Sequence, residues 1–308
     1  MSGAPFFALG LDVGGTKIAG GLVEFPAGIV RLRHTVPTQP ERGGAAVLED
    51  VERLAQRLAA EATAVRLEVH AAGLGLCELV SSRGDILSAN CVDWRSAPVR
   101  ERLSAIAPLT LEADVRAAAR AEAHFGAGRP FRQFLYVTVG TGIASCLVLD
   151  RVPFTGARGA TGTMASSPVS VPCEGCGRIN RRTIEELASG PALVARYNDF
   201  HPGAARTGHE VLAAAAAGDT EASFVTRSAA EALGSAVGLL VNVLDPEAVV
   251  VGGGLGLSEG PFWDEFIAAT RRHIWSDVHR DLPILRAGTG TDAGLIGAAA
   301  AAWARAGR

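Results

Sequence analysis

Lysine is almost missing. Of the 29 basic residues in this 308-residue chain, one is a lysine, Lys17, and the other 28 are arginine. The remaining charge is balanced: net charge is −3 and no block of like sign stands out, which excludes the basic face that nucleic acid or an anionic membrane selects. Five cysteines, Cys77, Cys91, Cys146, Cys173 and Cys176, are too few and too irregularly spaced for a secreted disulfide framework, so reduced thiols are expected. Residues 1–5, Met-Ser-Gly-Ala-Pro, lack a basic region running into apolar residues, and no later apolar stretch reads as long enough to span a bilayer. A cytoplasmic protein with small neutral or phosphorylated partners, and with neither nucleic acid nor membrane, is the expectation.

The solitary lysine lies in Leu9-Gly10-Leu11-Asp12-Val13-Gly14-Gly15-Thr16-Lys17-Ile18, a strand running into a glycine turn with a hydroxyl and an ammonium beside it. A chain so committed to arginine keeps a lysine where a compact point charge works and a planar guanidinium does not, as at a phosphate-handling turn. A second such turn lies further on: Val137-Thr138-Val139-Gly140-Thr141-Gly142-Ile143 echoes the first with one gap. Two related halves, each opening on a Gly-Thr hairpin, would aim two sets of backbone amides at one anion.

The length suits two domains rather than one core. Alternation and turn residues predict strands at about 6–11, 18–24, 30–36, 67–76 and 109–112, a helix over about 45–64, and an alanine-rich helix from Asp114 to Phe125. A Gly/Pro/Ser-rich stretch over about 151–180 reads as a substrate loop, and helices are expected from about 183 to 244. The run 248–251 is a buried strand ending in Gly252-Gly253-Gly254, where ligands bind in open α/β sheets. It lacks the spacing of a dinucleotide fingerprint. An alanine-rich helix over 292–308 closes the chain.

In this order the motifs resemble the ROK family, within the actin-like ATPase superfamily. The landmarks are Asp12–Lys17, Asn90-Cys91-Val92-Asp93-Trp94, Asp114 through Gly126, Val139–Ile143, Glu185–Gly190, Val251–Gly254 and Asp292–Ala298, covering nearly the whole chain. The resemblance implies an α/β fold of two actin-like, ribonuclease H-like domains flanking a nucleotide cleft: an N-terminal domain over 1–113 joined by the helix 292–308, and a larger domain over 114–291. It implies ATP-dependent phosphorylation of a primary hydroxyl on a hexose, amino sugar or cyclitol, with ATP and Mg²⁺ as cofactors, and a homodimer. ROK repressors carry a winged helix ahead of this region. With the first turn at residue 12, the kinase branch is expected.

Phosphoryl transfer needs positioning, backbone donors, a cation and a base for the attacking hydroxyl. The resemblance places Asp12 at Mg²⁺, Gly14, Gly15, Thr16, Lys17, Gly140, Thr141 and Gly142 at the phosphates, and Gly253 and Gly254 near the adenosine. Asp114 matches the catalytic base, and Asn90 and Glu185 match acceptor contacts. Several acceptor positions depart from the family. Ala113 stands where an asparagine is usual, Thr163 where a glutamate is, and Ser166 where a zinc-binding, sugar-touching histidine is. Cys77-Glu78 replaces a Pro-Gly. Of three zinc cysteines only Cys176 remains, with Cys173 nearby, while Arg178 and Thr183 occupy the other two positions; two thiols do not complete a tetrahedral site, so zinc is not expected. Loss of hydrogen-bonding groups weakens selection for the usual hexose. Glu78 is a candidate carboxylate for an acceptor amino group, and the competing reading is a non-catalytic sugar or nucleotide sensor.

Overall fold

The computed structural model describes residues 5–172 and 179–307. In chain order these form β1 (Phe6–Val13), β2 (Lys17–Phe25), β3 (Ile29–Pro37), α1 (Gly44–Ala64), β4 (Ala71–Leu76), α2 (Val99–Ser104), β5 (Leu109–Ala113) and α3 (Asp114–Phe125). Next come β6 (Phe134–Val139), β7 (Ile143–Leu149), β8 (Val152–Pro153), β9 (Pro168–Pro172), β10 (Ile179–Thr183), α4 (Ile184–Ala188), α5 (Gly190–Asn198), α6 (Gly208–Ala216) and α7 (Thr220–Leu244). The chain ends with β11 (Val249–Gly252), α8 (Pro261–His273), α9 (Asp277–Arg280), β12 (Ile284–Arg286) and α10 (Ala293–Arg305).

Packing divides the chain into two compact units. Unit 1 takes the chain up to Arg132, Val148–Thr161 and the stretch from Gly288 onward; unit 2 takes Gln133–Leu147 and Gly162–Ala287. The domain boundary expected at 113/114 thus differs from the observed division, because α3 packs against α10 and β4 inside unit 1.

Unit 1 is built on a five-stranded sheet of order β3-β2-β1-β4-β5. β1 reads Phe-Phe-Ala-Leu-Gly-Leu-Asp-Val and is buried almost throughout, as a strand covered on both faces must be. The apolar stripe of α1 buries Val47, Leu48, Val51, Leu54, Ala55 and Leu58 at helical spacing. β1, β4 and β5 are parallel and in register, Val13 beside Leu76 and Leu76 beside Ala113. Their carboxyl ends therefore lie on one edge, and the loops or helices leaving those ends start side by side there.

Unit 2 repeats the plan. The second sheet, whose strands β6, β11 and β12 belong to unit 2, has the order β12-β11-β6-β7-β8, with β11 parallel to both β6 and β12. Read from the other edge this is β8-β7-β6-β11-β12, the order of the first sheet with each strand replaced by its counterpart. The internal echo between the two hairpins is thus an echo of topology. The helical region expected over 183–244 is four helices, because side chains cap new starts: Thr183 in a capping box with Glu186, Ser189 on Ala192 N–H, Thr207 on Glu210 N–H and Asp219 on Ala222 N–H.

One expectation fails here. At 25 residues and mean hydropathy 1.3, α7 is long and apolar enough to cross a bilayer by composition. The structure gives one face of the helix another partner: Val225, Ala229, Leu233, Val237 and Val241 line the unit 2 core against Phe262 and Phe266 of α8, while Phe224, Leu239 and Val243 are exposed.

Candidate active site

Asp12 ends β1 on the shared edge of unit 1. Among the described residues no donor is hydrogen-bonded to its carboxylate. Burial pushes the group up to about 6, with the Lys17 ammonium opposing the shift. Its oxygens lie against the first turn of α10, where a Cβ on Gly294 would meet Oδ2 at 2.2 Å, so only glycine fits beside this carboxylate. Lys17 is exposed at the head of β2. The turn between them is braced by buried Thr38, whose hydroxyl donates to Gly14 O (2.7 Å) and whose N–H donates to Thr16 O (3.1 Å).

Asp114 is the first residue of α3, directly after β5. Ala113, not Asp114, is the N-cap, and the aspartate bonds only its neighbour's N–H, Val115, at 2.6 Å. Its pKa is raised to about 7, first by desolvation and then by the charge of Asp12. Two nearby carboxylates, both hard to ionise, are a perturbed pair of the kind found where proton transfer is carried out. Mg²⁺ takes one or two carboxylates plus substrate phosphate, and the unpartnered Asp12 carboxylate fits that demand.

Asn90 lies exposed in the loop after β4. Cys77 and Cys91, thiols 14 residues apart in sequence, interact in the same neighbourhood, and that interaction, burial and the Asp114 charge push the Cys77 thiol up. That pair was not legible in the sequence, since only the return of the loop onto β4 makes it.

In unit 2, parallel pairing of β6 with β11 brings Gly140–Gly142 and Gly252–Gly254 to one edge. A Cβ on Gly140 would have Gly254 N as its nearest atom, at 3.8 Å, leaving open space. Gly253 has φ +83°, and a Cβ there would meet Val139 O at 2.4 Å. His209 at the start of α6 completes this corner: its Nδ1 pairs with Ser258 Oγ (3.2 Å), which also donates to Gly254 O (3.3 Å). Neither residue was legible as part of the site.

Two expected phosphate donors are corrected. Gly14 N–H donates to Lys17 O (3.0 Å) and Gly140 N–H donates to Gly142 O (2.9 Å), so each closes its own turn. Glu185, first turn of α4, has one oxygen on Ile143 N–H (2.8 Å), which ties α4 to the second hairpin. Thr163 and Ser166 are exposed at either end of a short turn that packs on α4. Cys173 and Cys176 lie outside the described residues. His201 sits with Asp219 and Glu221, where Asp219 is already the α7 cap and accepts the Tyr197 hydroxyl at 3.0 Å.

Residues 8–305 match the ROK family model, and the chain belongs to the ROK family. It is 30% identical to a glucokinase of Streptomyces coelicolor, over 94% of this chain and 96% of that one, and 30% identical to an N-acetylmannosamine kinase of Citrobacter koseri, over 94% and 97%. Among solved structures, a ROK family glucokinase from Streptomyces griseus in complex with glucose and AMPPNP superposes with a TM-score of 0.82 at 27% identity, covering 97% of this chain and 99% of that one. A ROK hexokinase from Thermus thermophilus gives a TM-score of 0.77 at 34% identity over 98% and 99%.

Proposed function

We propose that this chain, an ATP-dependent sugar kinase, transfers the terminal phosphoryl group of ATP to a primary hydroxyl of a hexose, amino sugar or cyclitol, with an acceptor other than plain glucose. The observation that carries the reading is the adjacency of Asp12 and Asp114 on one sheet edge with both titrations raised, one to about 6 and the other to about 7. A carboxylate with a pKa near neutrality is matched to proton abstraction from an alcohol, an effect worth about 10²–10⁴ in rate. The relatives' names support the reaction class, and the AMPPNP of the Streptomyces griseus structure supports ATP.

In this reading Asp114 takes the proton of the attacking hydroxyl at a carboxylate oxygen not held by Val115. Asp12 would hold Mg²⁺, which supplies charge neutralisation at the phosphates when bound. Lys17 adds a positive charge at the same turn. Gly15, Thr16, Thr141 and Gly142 are the proposed phosphate contacts. Gly14 and Gly140 contribute close backbone approach rather than N–H donors. Gly253 and Gly254 admit the adenosine. Asn90, Glu185, Thr163 and Ser166 are the proposed acceptor contacts, with Ala113 offering no polar atom. A cytoplasmic homodimer belongs to the same reading, and light scattering reads the dimer directly.

ADP release measured across a panel of hexoses, amino sugars and cyclitols tests the reading. Turnover on at least one acceptor, lowered about 10²–10⁴-fold in Asp114→Asn, is expected. Tight sugar or nucleotide binding with no ADP from any acceptor would favour the sensor.

A further inference from the structure

The carboxylate of Glu78 is 3% exposed, and among the described residues no arginine, lysine or histidine pairs with it. Its partners come from a single loop. Oε2 accepts from Asn90 N–H (2.8 Å) and from the Ser88 hydroxyl; Oε1 accepts from Cys91 N–H (2.7 Å) and Val92 N–H (2.9 Å). Three consecutive backbone N–H groups folded around a carboxylate form the kind of concavity that binds an anion, here filled by the chain's own side chain. Ser88 also accepts Leu79 N–H (2.9 Å), which fastens the loop to the residue after Glu78.

This arrangement corrects the role foreseen for Glu78. With four donors on its two oxygens, the carboxylate has no lone pair directed at an acceptor amine. Its effect is on the loop: Ser88–Val92 cannot leave without stripping a buried carboxylate of all its partners, which is far more unfavourable than losing one neutral hydrogen bond. The loop carries Asn90, whose side chain is exposed, while Glu78 is two residues beyond Leu76, the register partner of Ala113 that precedes Asp114. A direct covalent and hydrogen-bonded path inside unit 1 thus fixes Asn90 with respect to the base.

We propose that Glu78 is a positioning residue of the phosphoryl transfer: by gripping the N–H groups of Asn90, Cys91 and Val92 it presents Asn90 to the acceptor beside Asp114, and so sets acceptor selection where Ala113, Thr163 and Ser166 supply little. The inference rests on the kinase reading. A loop fixed by an internal carboxylate concentrates selection on one rigid amide, which suits an uncharged polyol acceptor. The Glu78 charge is also one of the causes that raise Asp114, so the two groups are electrostatically linked.

Glu78→Gln offers one acceptor oxygen and turns an NH₂ toward backbone donors. We expect acceptor KM to rise about tenfold or more with ATP KM unchanged and kcat within about threefold. Amide exchange at Asn90–Val92 should accelerate, and the acid limb of kcat/KM should move to lower pH, a shift that a merely structural link would not give. Glu78→Asp, which keeps the charge, should restore the limb. Ser88→Ala, which removes one donor of four, should raise acceptor KM a few-fold even if the Gln variant fails to fold. Unchanged acceptor KM in both Glu78→Gln and Ser88→Ala, or unchanged exchange in a folded Glu78→Gln, overturns the inference. Absence of ADP from the unaltered protein with every acceptor overturns the kinase reading instead.

Discussion

The two sheets share one strand order, yet their equivalent edges carry different chemistry. Where unit 1 has Asp12 at the end of its first strand, unit 2 has Thr138; where unit 1 places Asp114 after its last strand, unit 2 places Ala287 after β12. The first edge collects carboxylates and the second collects glycine. One topology thus carries two sets of end residues, and in the proposed reading the carboxylates of unit 1 handle a proton and a cation while the glycines of unit 2 allow close backbone approach. A second contrast lies inside unit 1. Glu78 and Glu122 are buried and fully satisfied: Glu122 accepts from Ala127, Gly288 and Thr289 N–H at 2.7–2.8 Å and from the Thr289 hydroxyl. Among the described residues Asp12 and Asp114 together accept a single hydrogen bond, the one from Val115. The buried carboxylates are given donors and fix loops, whereas the two half-buried ones are denied donors and are left open to ligands.

Changes at the two edges should therefore fail differently. Gly253→Ala forces a Cβ against Val139 O in a backbone conformation of φ +83°, a strain of about 1–3 kcal/mol. Expected in steady-state kinetics is an ATP KM raised about tenfold or more, with acceptor KM little changed. A variant whose acceptor KM rises instead would break the division of labour.

Asp114→Asn sharpens the comparison through stability. Because the folded pKa of about 7 lies above the unfolded value near 3.8, the native state binds more protons between these values, and folding stability falls as pH rises through that window. Removing the charge should stabilise the fold at pH 8 by an amount on the order of 1 kcal/mol once its partial exposure is discounted, read as a higher melting temperature, and by almost nothing at pH 4. A variant that melts lower than the unaltered protein at pH 8 would mean that Asp114 is a structural aspartate.

Much of this was visible in the chain. Glycine turns at 14–15 and 140–142, the strand-to-helix step at Ala113–Asp114 and the run into Gly252–Gly254 are local signals, and each falls at a strand end. β3 spans Ile29–Pro37 where 30–36 was expected, since alternation marks strands well. β4 begins at Ala71 rather than Leu67, because pairing with β1 starts opposite Ala8 and the residues before it have no neighbour strand. The role of Glu78 and the contact of Cys77 with Cys91 depend on a loop that returns after a dozen residues, and no local pattern encodes that return. The Gly14 and Gly140 N–H groups were misjudged for a related reason: composition identifies a glycine turn but not which of its donors the turn itself consumes.

The central claim is that Asp114 must lose its proton to accept one from the sugar. Acceptor kcat/KM measured from pH 5 to 9 tests it most directly. Expected is a rate that rises through about pH 7 to a plateau in the unaltered protein and a low, flat profile in Asp114→Asn. The same rising limb retained in Asp114→Asn would contradict it.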